Sequence, residues 1–308
     1  MNYTLHQLEI FVKVAEKESI TKASEELFLT QPAVSLQLKK LQEQFEYPLT
    51  EIVGRKLYIT DFGKELLEVS KRILSEAQSI RNMTNAFGGN LVGKLRISSV
   101  STGKYVMPFF ISNFIKENPQ VDLEMDVTNK ELVVKSLQEN KIDFALVSLV
   151  PDNLDCEEVP LMSNKLFLIG NSERKFNKTA YKSNIFEELP MIFREQGSAT
   201  RQTMEKYFRE QGLKIDKKME FVSNEAVKQA VMAGLGYSIM PLIGLRNELS
   251  SKQLQIIPVK GFPISTTWRL VYLKQKRFGP VAKEFLNYIL AEKEHLVAQK
   301  FNWYEEYK

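Results

Sequence analysis

The stretch LHQLEIFVKVAEKESITKASEELFLTQPAVSLQLKKLQ, residues 5–42, decides the reading of this chain. Between Leu5 and Glu18, Leu5, Leu8, Phe11, Val12 and Ala15 recur at three- and four-residue spacing, which places them on one face of an amphipathic helix. Ser19 and Thr21 offer oxygens that cap a second helix, SITKASEELF, barely two turns long, with Ala23 and Leu27 toward the first helix and Lys22 outward. Thr30 offers another cap, and Pro32 falls in a first turn, where its missing N–H costs nothing. A third helix therefore starts there, with Val34, Leu38, Leu41 and Phe45 as its buried stripe. A short helix, the tight turn FLT and a longer helix form the helix-turn-helix plan, whose second helix enters the DNA major groove by its N-terminal end.

The exposed face of that third helix carries Gln31, Ala33, Ser35, Gln37 and Lys39. Gln bonds adenine bidentately, Ser reaches either partner of a base pair, Ala leaves room for a thymine methyl, and Lys neutralises phosphate. Three amphipathic helices taken alone also fit a plain bundle with a solvated polar face, so the flanking sequence has to decide. After Pro48, LTEIVGRKLYIT sets Gly54 at a turn between two β-prone runs with Arg55 and Lys56 beside it, the pattern of a wing that grips the DNA backbone. Thr60 then caps a long helix in which Leu66, Ile73, Ile80 and Phe87 recur every seven residues, with Ser70, Ala77 and Thr84 between them. This seam is expected to pair two copies of the chain, as a reader of paired half-sites requires; a helix packed on its own domain is the alternative. Residues 1–90 hold eleven Lys/Arg against twelve Asp/Glu, so DNA affinity needs a local basic patch at Lys39, Lys40, Arg55 and Lys56, with Glu16, Glu18, Glu25 and Glu26 turned away.

AFGGNLVG, residues 86–93, ends the long helix with Gly88, Gly89 and Gly93 and reads as a linker. Beyond it strands and helices alternate. Strands at 95–99, 121–127 and 143–148 enclose helices through Phe109 and Phe114 and through Leu132 and Leu137; strands at 191–195, 218–223 and 236–241 enclose helices at 198–211 and 224–233. Two such runs in series predict two α/β lobes with a ligand cleft at the carboxyl ends of their strands, and TTWRLVYLK with the helix from Gly279 returns to the first lobe. Toward that cleft each lobe presents polar helix starts: Ser99, Ser101 and Thr102 in SVSTGKY, Ser148 ending DFALVS, Ser198, Thr200 and Arg201 in EQGSATR, and Asn224 in FVSNEAVKQ. Facing helix N-termini with a fixed cation suit a carboxylate or phosphate, although each cap alone is equally ordinary helix termination.

The remaining composition narrows the function. His6 and His295 are the only histidines and Cys156 the only cysteine, so a metal cluster, an intrachain disulfide or a histidine-dependent triad has little to draw on; no enzyme, metal or cofactor is expected. No apolar run reaches the length of a membrane span, and the start MNYTLHQLEIF has no apolar signal core, which predicts a cytoplasmic protein. A solute-binding protein would explain two lobes but not residues 1–90.

These residues resemble the LysR-type transcriptional regulators over nearly the whole chain to about residue 290, on the strength of residues 5–42, of LYITDFGKELL (57–67) and of VMAGLGYSIMP (231–241). VSTGKYVMP, REQGSATR and KGFPISTTWRLVYLK are similar, within that family, to the regulators of carbon-fixation operons. The resemblance implies an α/β chain: an all-α-dominated winged helix-turn-helix N-terminal domain at 1–60, a dimerising linker helix at 61–90 and a two-lobed effector domain like periplasmic binding proteins at 91–308. The first lobe is expected at about 91–162 and 265–300, the second at 163–264. It further implies double-stranded DNA with paired half-sites as partner, a homodimer assembled into a homotetramer, RNA polymerase as a further partner, and a small, often anionic effector. Base-reading positions then fall on Gln31, Pro32, Ser35 and Gln37, wing contacts on Arg55 and Lys56, and effector contacts on Ser99, Ser101, Thr102, Ser148, Ser198, Thr200, Arg201 and Asn224. PLTEIVGRK departs from the usual wing, and the tail HLVAQKFNWYEEYK runs past the usual end, to pack on a neighbouring subunit or to form an ordered extension.

Overall fold

The computed structural model describes residues 3–54, 56–86, 91–216 and 219–307, and the chain separates into two compact units, Met1–Gly89 and Asn90–Lys308. In the first unit, Thr4 opens α1 (Leu5–Lys17) with a reciprocal cap: its Oγ1 accepts from Gln7 N–H at 3.2 Å while its own N–H donates to Gln7 Oε1 at 2.8 Å. Ser19 caps α2 (Ile20–Glu26) by accepting from Lys22 N–H, and α3 (Gln31–Gln42) has Pro32 in its first turn and Thr30 in the cap position but making no side-chain cap bond. The core of this unit gathers Leu8, Ile10, Phe11, Val14, Ala23, Val34, Leu38 and Leu41. Its membership differs from the one-stripe expectation at both ends. Leu5 is half-exposed and Phe45 only partly buried, whereas Ile10 and Val14 are sealed, because α1 packs against three helices and buries more than one face.

Strands β1 (Thr50–Val53) and β2 (Lys56–Ile59) form an antiparallel hairpin with Val53 opposite Lys56 and Gly54 at φ 66°, a left-handed conformation that glycine adopts without strain. Arg55 and Phe87 lie outside the described residues. Thr60 Oγ1 then accepts from Gly63 N–H at 3.0 Å at the start of α4 (Asp61–Ala86). The first turns of α4 run along α1, the packing that stood as the alternative to a paired seam. Leu66 and Ile73 pack against the core of their own unit, and Ser70 between them is fully buried. Val69, on the same turns, is exposed, and Ile80 falls on the later part of α4, its side chain outside the described residues.

The second unit begins with β3 (Gly93–Val100), α5 (Met107–Glu117), β4 (Val121–Thr128), α6 (Lys130–Gln138) and β5 (Phe144–Val147), and β3 lies parallel to both β4 and β5. A sixteen-residue strand, β6 (Cys156–Asn171), leads out to α7 (Ile185–Glu188), β7 (Ile192–Arg194), α8 (Ala199–Glu210), β8 (Met219–Phe221), α9 (Asn224–Met232), β9 (Ser238–Pro241), α10 (Arg246–Ser250) and β10 (Leu254–Ile257). Strand β11 (Ile264–Leu273) and α11 (Pro280–Lys300) close the chain. The largest sheet runs β10-β6-β11-β5-β3-β4 with β9 on β6, while β7 pairs with β8 and reaches β9 through a Met191–Tyr237 bridge. Two lobes result because β6 and β11 are long enough to serve both. Val159 and Met162 of β6 belong to the β3–β5 side, Leu166–Asn171 carry β9 and β10, and the β6–β11 register shifts between Trp268 and Arg269. At this crossover Asn164 Nδ2 donates to Thr266 Oγ1 at 2.9 Å.

The aromatic tail packs on its own unit rather than projecting from it. Phe301 sits against the rings of Phe109 and Phe110, and Tyr304 is buried, its hydroxyl accepting from Lys165 N–H at 3.0 Å. Among the described residues no helix is long and apolar enough to cross a membrane.

Candidate DNA-reading helix and effector cleft

In the first unit, Gln31, Pro32 and Lys39 are exposed on α3 and Ser35 and Gln37 are half-exposed, while Val34, Leu38 and Leu41 hold the opposite side to the core. The electrostatic problem of an acidic N-terminal segment resolves locally. Glu26 binds Lys13 at 2.7 Å and Lys17 at 2.6 Å, and Glu16 also pairs with Lys13, so those acids are neutralised by α1. The two lysines hold the Glu26 carboxyl down to a pKa of about 2. Lys39, Lys40 and Lys56 enter no ion pair among the described residues. Leu36, half-exposed on the same helix, was not singled out by the sequence pattern, which flags polar rather than apolar side chains on an outer face.

In the second unit, Ser99 lies within the last residues of β3, Thr102 follows that strand's carboxyl end and Ser148 that of its neighbour β5, while Ser198, Thr200 and Asn224 stand at the starts of α8 and α9. All six are between 0 and 8% exposed. Ser101 is half-buried. Ser99 Oγ donates to the Val100 carbonyl at 3.1 Å, and the side chain of Ser198 makes no cap bond. Asn224 is the sharpest case: both its Nδ2 and its Oδ1 are buried without a hydrogen-bond partner. A buried amide left unsatisfied costs roughly 1–3 kcal/mol, a cost that a ligand bonding both atoms would remove.

Local sequence explains why these groups are free. Ser223, not Asn224, caps α9, its Oγ accepting from Ala226 N–H at 3.0 Å, so the Asn224 amide is released from capping. Thr102 was expected to cap an α-helix. Instead a 3-10 turn at Gly103–Tyr105 intervenes, and α5 starts only at Met107 because Pro108 sets its first turn. Close packing leaves room for hydrogens alone at two points: a Cβ on Gly103 would lie 2.0 Å from Ser99 Oγ, and one on Gly244 would lie 2.8 Å from the Tyr105 ring and 3.3 Å from Asn224 Nδ2.

Two contacts bridge the lobes beside these residues. Tyr105 donates its hydroxyl to Glu225 Oε2 at 3.1 Å, and Lys130 Nζ donates to Gln202 Oε1 at 3.1 Å. Burial, aided by Glu225, pushes the Tyr105 pKa far up, so the phenol stays a donor, and burial lowers that of Lys130. Burial opposes ionisation of Glu225, yet hydrogen bonds from Gln229 and Lys228 outweigh it and hold the carboxyl below its ordinary range. Neither bridge was read from the sequence; the i,i+3 spacing of Glu225 and Lys228 was its available trace.

Arg201 differs from expectation. It is held by Glu205 at 2.6 Å, by Glu220 at 2.8 Å and by the Arg194 carbonyl, so two carboxylates already neutralise the cation assigned to the effector. The first turn of α8 places Arg201 toward β8, where Glu220 lies, rather than leaving it free.

A winged helix-turn-helix joined to a two-lobed domain with a sealed polar cleft defines a DNA-binding regulator that responds to a small molecule. Two family descriptions match the chain: the bacterial regulatory helix-turn-helix protein of the lysR family over residues 5–64, and the LysR substrate binding domain over residues 88–294. The chain belongs to the LysR family of transcriptional regulators, and it is a regulator rather than an enzyme. It is 38% identical over 304 residues to the HTH-type transcriptional activator CmpR of Synechocystis, covering 97% of this chain and 99% of that one. It is 36% identical to the RuBisCO operon transcriptional regulator of Allochromatium vinosum, covering 95% and 97%. The regulators of carbon fixation thus stand among its relatives. Among solved structures, the regulatory domain of Synechocystis CcmR in complex with 2-PG superposes with a TM-score of 0.63 at 29% identity, over 66% of this chain and 98% of that one. Full-length CbnR complexed with its target DNA, at 21% identity, shares the fold with a TM-score of 0.66 over 93% of this chain and 99% of that one.

Proposed function

We propose that this regulator binds a small phosphorylated acid in the interlobe cleft and couples its occupancy to recognition of an operator with paired half-sites. The observation that carries the reading is the Asn224 amide, buried with both polar atoms unpartnered; Ser99, Thr102, Ser148, Ser198 and Thr200, likewise buried, stand at strand and helix ends of the same unit. A phosphate or carboxylate supplies the acceptors that Asn224 Nδ2, the hydroxyls and the leading N–H groups of α8 and α9 lack. Neutral donors do this work in the proposal, because Arg201 is already paired. That CcmR, a protein of similar fold, was solved with 2-PG supports a ligand of this class.

On the DNA side, Gln31, Pro32, Ser35 and Gln37 read base edges while Lys39, Arg55 and Lys56 neutralise phosphates. Residues 61–90 pair two copies through the later part of α4, and two dimers assemble into a tetramer in the cytoplasm. Effector binding shifts the packing of lobes or subunits and so alters the bend imposed on the operator, from which contact with RNA polymerase follows. Calorimetric titration of the full-length protein with 2-phosphoglycolate tests the effector reading. Saturable binding that weakens by about tenfold or more in Asn224→Ala is expected; binding of equal strength in that variant overturns it.

A further inference from the structure

The tail beyond α11 walls a cavity of about 820 Å³, completed by α10 and by the turn leading into α5. Its walls include the rings of Tyr105, Phe301 and Trp303, and three cations stand around it: Lys104, Arg246 and Lys300. Glu306 is the one carboxylate on the described lining, so three positive charges face one negative, a net of two positive. None of the three cations enters an ion pair among the described residues; the Arg246 guanidinium instead lies over the Trp303 ring, 5.1 Å from its centroid. Like charges gathered without carboxylate partners around a concavity repel one another and create a potential that draws an anion.

The volume falls in the range of sites for drug-sized molecules and exceeds what a phosphorylated two-carbon acid fills. Aromatic walls suit a flat or apolar body, and a guanidinium already stacked on an indole offers its edge donors to phosphate or carboxylate oxygens. The tail is fixed for the purpose. Lys165 N–H donates to the Tyr304 hydroxyl, and Lys165 Nζ donates to the carbonyls of Tyr304 at 3.3 Å and Tyr307 at 3.0 Å.

We propose that this cavity is a second ligand site, separate from the interlobe cleft, for a small molecule with a flat apolar body and at least two negative charges. The rings take the body and Lys104, Arg246 and Lys300 take the charges. Tyr105 is shared: its ring lines the cavity, and its hydroxyl bonds Glu225 beside the cleft.

The test is calorimetric titration of the full-length protein with 1-naphthyl phosphate, an aromatic dianion. Saturable binding is expected, weakening with salt, falling by about tenfold in Arg246→Glu and in Lys104→Glu, and by several-fold in Trp303→Leu. Arg246 and Lys104 are exposed, so both charge variants are expected to melt with the wild type. Asn224→Ala separates the sites: it weakens 2-phosphoglycolate binding by about tenfold or more and leaves naphthyl phosphate binding intact. No saturable binding to the wild type overturns the proposal, as does binding lost in Asn224→Ala but kept in Arg246→Glu. An Arg246→Glu variant that separates copies of the chain while binding naphthyl phosphate at wild-type strength also overturns it, and makes the cavity a subunit interface.

Discussion

The Tyr105 hydroxyl, on the turn after β3, donates to Glu225 Oε2, in the first turn of α9, at 3.1 Å, and so links the two lobes immediately beside the unpartnered amide of Asn224. The link is charge-assisted only while Glu225 is ionised. Its pKa in the folded protein lies below the ordinary 4.5, so the stabilisation is complete above 4.5 and disappears as pH falls through the folded value. The melting temperature of the wild type should therefore exceed that of Glu225→Gln near neutrality, and the two should converge over the interval from the ordinary 4.5 down through the lowered folded value. A difference that stays constant over that interval contradicts this account of the link.

The proposed effector contacts should be separable from the fold and from DNA binding. Ser198→Ala combined with Thr102→Val should weaken 2-phosphoglycolate binding by about tenfold, in line with the loss of one or two hydrogen bonds to an anion. Operator affinity without effector should change by less than about twofold. Equal losses of both, measured by calorimetry and by fluorescence anisotropy on the operator, would sink the division of labour between the two units.

On α3 and the wing, base readers and phosphate contacts should separate by salt dependence. Gln31→Ala should relax preference at one base position by about 1–3 kcal/mol and leave the salt slope intact. Lys56→Ala should weaken all sequences alike and reduce the slope of log K against log salt by about 0.9. If Gln31→Ala instead lowered the slope as Lys56→Ala does, α3 would be lying on the backbone and not in the groove.

The tail is a structural wall, and its removal should be felt in stability. Tyr304→Phe leaves Lys165 N–H without its acceptor and should cost about 1–3 kcal/mol, whereas Tyr304→Ala, which also empties a buried site, should cost about 3–5 kcal/mol. Chemical denaturation of the two variants checks the order; a wild-type midpoint for Tyr304→Ala would mean that the tail is not packed in solution.

Periodicity made the first unit legible, because three- and four-residue spacing, the cap at Ser19 and the first-turn Pro32 are local signals. It left two readings at Leu66 and Ile73, where a seven-residue repeat describes packing on the unit's own core as well as it describes a partner helix. In the second unit alternation marked most strands that meet the cleft, but β6 escaped. A strand that belongs to two lobes carries no single inside-outside pattern: Glu157, Glu158 and Lys165 interrupt its apolar positions, and its pairing with β11 is fixed about a hundred residues away. Ser99, Thr102, Ser148, Ser198, Thr200 and Asn224 were legible as residues at or after strand ends or at helix starts. The pairing of Arg201 was not, because Glu220 reaches it from another strand. Nor was the Tyr105–Glu225 link, which spans 120 positions. Contacts of that separation depend on the closed fold and leave no local trace.

The central claim, that occupancy of the cleft controls DNA recognition, is tested most directly by capturing genomic fragments with the purified protein at near-physiological salt, with and without 2-phosphoglycolate. The account predicts enrichment of a short sequence with paired half-sites upstream of a few genes, at an affinity that the ligand changes in the wild type and leaves alone in Asn224→Ala. Enrichment that is identical with and without the ligand, or a response that survives in Asn224→Ala, would contradict it.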